Sequence, residues 1–138
     1  MNVNEIPELK WTEFCAEYSR AHHGWLVTLA AIVTEQADLA PDELQQHWHI
    51  IADQVRLENI AIGTMPASFI IIAKSPESHE LVQHPLDNVL RIFRLTVGEA
   101  HQGLRLDNVE AGRDVSTFIW FQCPASPEAL DGLAEFEI

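Results

Sequence analysis

VSTFIWFQC, residues 115–123, has no polar side: Phe118, Ile119, Trp120 and Phe121 send large apolar groups to both faces of any strand it forms. Three further runs read the same way, WLVTLAAIV at 25–33, ASFIIIA at 67–73 and VLRIFRLTV at 89–97. A strand with one solvated face alternates apolar and polar residues, so a run without alternation is covered on both faces. Few helices are on hand to do the covering. Either the sheet curls over itself, or a second copy or another partner completes the burial.

Working outward from these runs, residues 7–22 read as an N-terminal helix, with Leu9, Phe14, Tyr18 and Ala21 on one side and Gly24 as its stop. A strand at 25–34 follows. Pro41 sits where a first-turn proline belongs, and Asp42 and Glu43 suit the positive end of a helix dipole. Leu44, Trp48, Ile51 and Val55 recur at helical spacing and predict a helix over 41–55. Residues 57–62 and 67–73 flank Gly63, Thr64, Met65 and Pro66, which reads as a hairpin loop. Residues 80–83 are a short extended piece stopped by His84-Pro85. Runs 89–97, 103–109 and 115–123 predict a meander. Ser126-Pro127-Glu128 opens a short C-terminal helix with Leu130, Leu133 and Phe136 as its apolar side. The expected fold is a single α+β domain over 1–138, with an antiparallel sheet of five to seven strands, curled or roll-like.

Composition narrows the partners. A chain of 138 residues that is 47% hydrophobic can bury a core without a metal or disulfide staple. Eight Lys and Arg against 21 Asp and Glu leave a net charge of −13. Phosphate backbones and anionic membranes are repelled by such a surface, so neither nucleic acid nor membrane is expected as a partner. The N-terminus, MNVNEIPELK, lacks the basic start and apolar core of a signal peptide, and Cys15 and Cys123 have no CxxC spacing. The expected compartment is the cytoplasm, with both thiols buried and reduced.

No motif carries chemistry. His47 and His49 are two apart, which a helix places about 200° from each other, so they do not form a metal pair. On that helix His47 is packed and His49 exposed. His22 and His23 end the first helix, where an imidazolium favours the negative dipole end. Cys15 shares a face with His22 but lies two turns away, too far for a cysteine–histidine nucleophile. His79 and His84 have an odd separation and face opposite ways on a strand. Asp107, Asn108, Glu110 and Asp114 read as a solvated acidic hairpin without the ligand pattern of a calcium loop. No GxGxxG, phosphate loop, GxSxG or HExxH occurs. The sequence assigns no catalytic residue, metal or cofactor.

The large aromatics leave two expectations. Phe118 and Trp120 share the second face of their strand and are the candidate contact surface, unless a helix covers them. Together with Leu130, Leu133 and Phe136 they are the candidate interface of a homodimer or of an unknown protein partner. Alternatively, Trp25, Trp48 and Phe93, with Trp120, line a pocket between helix and sheet.

The order of a helix carrying WxxF (Trp11 to Phe14), a long strand, ELVQHP (Glu80 to Pro85), another strand and a hairpin ending in an apolar run resembles a group of small bacterial proteins of unknown function. That resemblance spans most of residues 8–123 and implies a bacterial cytosolic source. The sequence therefore predicts a non-catalytic, self-associating cytosolic interaction protein. The alternative is a small-ligand-binding domain or an enzyme using the pocket.

Overall fold

The computed structural model describes residues 1–63, 65 and 67–122, which build one antiparallel sheet of eight strands. In chain order these are β1 (Asn2–Ile6), α1 (Trp11–Ala21), β2 (Leu26–Val33), α2 (Pro41–His47), β3 (His49–Ile62), β4 (Phe69–Lys74), β5 (Leu81–Leu86), β6 (Val89–Val97), β7 (Ala100–Glu110) and β8 (Arg113–Phe121). Single 3-10 turns at Glu8–Lys10 and Thr34–Gln36 complete the described elements. The strand order is β1-β6-β7-β8-β2-β3-β4-β5. The α+β class holds, with eight strands rather than five to seven.

The sheet curls without closing. β5 is one edge and β6 is next to the other edge, yet only Asp87 and Asn88 separate them in sequence. So short a link spans the sheet only if its two ends approach each other. A backbone bond from Val89 N to Ala67 O (2.9 Å) ties the start of β6 to the loop before β4. Inside the curl, one apolar cluster takes buried residues from β2 through β8 and from α1, whose Trp11, Cys15 and Tyr18 face inward. Trp11 meets Phe69 edge-on with centroids 5.6 Å apart, which seats the start of α1 over β4. Two-faced apolar strands are thus explained half by curling around α1.

The outer face holds a second cluster. Ile32, Leu95, Phe118 and Trp120 lie beneath Leu39, Leu44 and Trp48, from α2 and its flanks. Alternation along β8 makes the division clear: Ile119 and Phe121 are inner, Phe118 and Trp120 outer.

Two expectations fail for identifiable reasons, and one strand was not foreseen. The helix predicted over 41–55 ends at His47, and Trp48 is already extended (φ −74°, ψ 155°). Residues 49–55 begin β3 instead. This strand is bulged against β2 near Gln54 (φ 52°) and near Ile51, and against β4 at Glu58. Each bulge adds one residue to a period of two, so the apolar positions fall three and four apart and imitate a helix. The strand stop at His84-Pro85 is also absent, because β5 continues to Leu86 as an edge strand, where proline's missing N–H costs no ladder bond. β1, NVNEI, carries no apolar alternation and was not expected; it pairs only with β6 and is mostly exposed. The expected C-terminal helix lies outside the described residues.

Candidate functional site

The inner end of the curl gathers the polar groups that the fold otherwise excludes. α1 supplies Tyr18 and, as its C-terminal cap, His22. β7 supplies His101 and Gln102, β6 supplies Arg94, and Trp25 and Phe121 close the wall.

A bulge is what brings His101 in. Leu104 and Leu106 belong to the inner core, so strict alternation would turn residue 101 outward. Leu95 pairs with Gly103 and Thr96 with His101, leaving Gln102 as the extra residue. The insertion re-aims His101 to the inside, a common use of bulges near sites. Gly103 makes it possible. Its φ is +148°, and a Cβ there would sit 1.8 Å from the carbonyl oxygen of Ile119. Gln102 Nε2 donates to Phe121 O at 3.1 Å and pins the turn.

The two histidines form a chain with an assignable direction. Tyr18 O is only an acceptor, so His22 Nδ1, 2.8 Å away, carries the proton that donates to it. Burial pushes His22 down to about pKa 4, with the Tyr18 carbonyl opposing and His101 reinforcing the shift. The ring is therefore neutral at pH 7, and its Nε2 is an acceptor. His101 Nδ1, 2.5 Å away, must donate to it. The expectation of a helix-capping imidazolium at His22 is thereby corrected: at 1% exposure the ring caps as a neutral donor. Tyr18 lies 4.1 Å from the His22 ring and stacks at 6.1 Å on His101, while Trp25 meets His22 edge-on at 4.5 Å.

Two donors beside this chain have no acceptor. Tyr18 Oη and Arg94 Nε are buried without a hydrogen-bond partner. Tyr18 is 4% exposed. Burial, only partly opposed by the positive charge of Arg94, raises the phenol far above its ordinary pKa, so it stays a neutral donor. Arg94 sits between Phe93 and Leu95, both of the outer cluster, so alternation sends its side chain inward.

The residues singled out from sequence are scattered. Phe118 and Trp120 are 1% and 8% exposed beneath Trp48, which corrects their reading as an open contact surface. Trp25 packs on the inner cluster, whereas Trp48 and Phe93 pack on the outer one, so the sheet stands between them and they line no common pocket. Leu130, Leu133, Phe136 and Cys123 lie outside the described residues. Cys15 is 1% exposed, and burial pushes its thiol up to about pKa 12, so it is an inert core residue. His47 and His49 are both exposed, at the end of α2 and the start of β3, which corrects the packed reading of His47. Among the described residues no group of three or more His, Cys, Asp or Glu is placed to hold a metal ion, and no helix is long and apolar enough to cross a membrane.

Asp107 corrects the solvated-hairpin reading. It is buried on the outer face and accepts from Arg105 Nε (2.8 Å), Arg105 Nη2 (3.2 Å) and Ser116 Oγ (2.6 Å). Asp38 adds a bond from Arg105 Nη1 at 2.9 Å, and Phe93 lies under the guanidinium at 5.0 Å. Of the inner cluster, the sequence weighed His22 and Trp25 for a role, and named Tyr18 and Phe121 only as apolar packing. Arg94 carried a usable signal, a charge at an alternating position inside a strand apolar on both sides. His101 carried none, because its inward turn depends on the bulge. In comparisons with known proteins, no family model, curated protein or solved structure matches the chain.

Proposed function

We propose that the protein is a non-catalytic interaction domain of the cytosol that pairs reversibly with a second copy of itself. The observation that carries this reading is the outer face of β3–β5. Register places three rows there: Arg56, Lys74 and Leu81; Asn59, Ile72 and Gln83; Ala61, Ile70 and Pro85. Ile70 and Ile72 belong to neither apolar cluster. None of the nine positions is acidic, in a chain with 21 carboxylates. Glu58, bulged between the first two rows, is held by His23 Nε2 at 2.6 Å. Self-association of a −13 chain is opposed by repulsion, and repulsion is weakest where two acid-free faces meet.

Size sets the strength. Three strands about 4.8 Å apart and about 20 Å long present roughly 300 Å² in projection. Stable interfaces bury about 800 Å² per partner, so this contact is weak and concentration-dependent. Pro85 on the β5 edge cannot donate to an added strand, which favours face-to-face over edge-to-edge pairing. Light scattering over a concentration series checks this. The molar mass is expected to rise from 15.6 kDa toward twice that value, and Ile72→Glu is expected to hold it at the monomer. A wild type that stays monomeric throughout, or a variant that associates equally well, refutes the reading. The alternative of a small-ligand site between helix and sheet is supported by a separate observation at the inner end of the curl.

A further inference from the structure

We propose that the inner end of the curl binds a small monocarboxylate between Arg94 and Tyr18, with the His101–His22 pair as one wall of the site. The starting point is an imbalance. Two buried donors, Tyr18 Oη and Arg94 Nε, meet no acceptor, although buried polar atoms are almost always partnered. They face the same interior from opposite sides. Tyr18 comes from α1 within the ring cluster of His22, His101 and Phe121. Arg94 comes from β6, opposite Leu104 of the inner core, and acts electrostatically on Tyr18.

Charge separates the possible occupants. A water molecule accepts from both donors but leaves the guanidinium uncompensated. No ion pair to Arg94 occurs among the described residues, despite the excess of acids in the chain. On the neighbouring strand Arg105 shows what this fold does with an arginine it means to satisfy internally: two carboxylates and an aromatic face. Arg94 is half-buried on the inner side and has no counter-ion among the described residues. A carboxylate fits because its two oxygens take one bond from Nε–H and one from the phenol O–H, the charge-assisted bond being the stronger. Arg94 is half-buried, which leaves a way in alongside its side chain.

The test is calorimetric titration of the full chain with sodium acetate, and in parallel with sodium chloride, in a zwitterionic buffer. Saturable one-to-one binding of acetate is expected, tighter than chloride. Arg94→Met should weaken it at least about tenfold, since it removes a charge-assisted bond. Tyr18→Phe keeps the ring and its packing, and should weaken acetate several-fold while narrowing the preference over chloride. Arg113→Gln, at the exposed β7–β8 turn, should bind as wild type does. Absence of saturable acetate binding to the wild type overturns the proposal and leaves a bridging water as the occupant. Equal binding by wild type and Tyr18→Phe, with circular dichroism showing both folded, overturns it as well. Chloride binding as tightly as acetate shows an anion site that does not select carboxylates, and overturns the ligand class.

Discussion

Arg94 and Arg105 lie on adjacent strands of one sheet, β6 and β7, and meet opposite fates. Arg105 is turned outward, yet it is buried under the segment before α2. Burial pulls its pKa down, but the hydrogen bonds and charges of Asp107 and Asp38 outweigh that and raise it. Arg94 is turned inward, acts on Tyr18 electrostatically, and has a buried Nε with no partner. Over β2, β6, β7 and β8 the outer face is therefore a finished structure: a covered apolar cluster with a saturated ion network. The inner end is unfinished in a way that calls for an acceptor. Across β6 and β7 the two faces divide the work, stability on one side and an open valence on the other.

The sharpest way to break that division is at Gly103, which sits between the two faces. It holds the bulge that turns His101 inward while leaving Arg105 outward. Gly103→Ala adds a Cβ 1.8 Å from Ile119 O at a φ of +148°. Overpacking and backbone strain together predict a loss of about 3–5 kcal/mol, or failure to fold. Urea unfolding measures it. A loss below about 1 kcal/mol would mean that β7 and β8 can separate without cost, and the division would rest on something else.

Next in size is the contrast between the arginines themselves. Asp107→Ala strips Arg105 of its buried partner and leaves the guanidinium uncompensated, at a cost of about 3 kcal/mol. Asp38→Ala removes the other carboxylate, whose side chain is 86% exposed, and should cost under about 1 kcal/mol. Equal losses for the two would show that solvent reaches the whole network and that the outer face is less finished than it looks.

These particulars also show what the sequence could tell. Residues whose environment depends on period alone were legible: the two-faced runs became central strands, the 57–62/67–73 hairpin formed, and α1 lies within its expected span. Residues governed by a departure from period were not. The bulges of β3 made a strand look helical, and the bulge at Gln102 hid His101 from any alternation count. Asp107 accepts from Arg105 and Ser116, both near in sequence, but the Asp38 that completes the Arg105 network is 67 residues away, so the network was not legible as a unit. The His22–His101 pair spans 79 residues, a separation that no local spacing rule reaches. Curling converts such distant positions into neighbours, and the candidate site lies where curling and bulging coincide.

The last contrast is in the response to pH. His22 has a folded pKa of about 4 against an unfolded value of about 6.5. Its folded value is depressed because burial disfavours the charged ring. In the unfolded chain the ring takes up its proton as pH falls through 6.5, while the native ring remains neutral until about pH 4. The unfolded state binds more protons across that window, so stability falls as pH falls, and the contribution is complete above pH 6.5. Each unit is worth about 1.4 kcal/mol, so going from pH 7 to pH 5 should remove about 2 kcal/mol through this group alone. Carboxylates add their own slope at the acid end, and His101 and Tyr18 face the same ring, so the readout is a difference. Urea midpoints for wild type and His22→Gln at pH 7, 6 and 5 should converge as pH falls, because the variant has no buried imidazole to keep neutral. Arg105, whose pKa is raised above its already high ordinary value, stays charged across this range. Parallel pH profiles for wild type and variant would mean that His22 takes up its proton in the folded protein at an ordinary pKa, and that the inner end is as well hydrated as the surface.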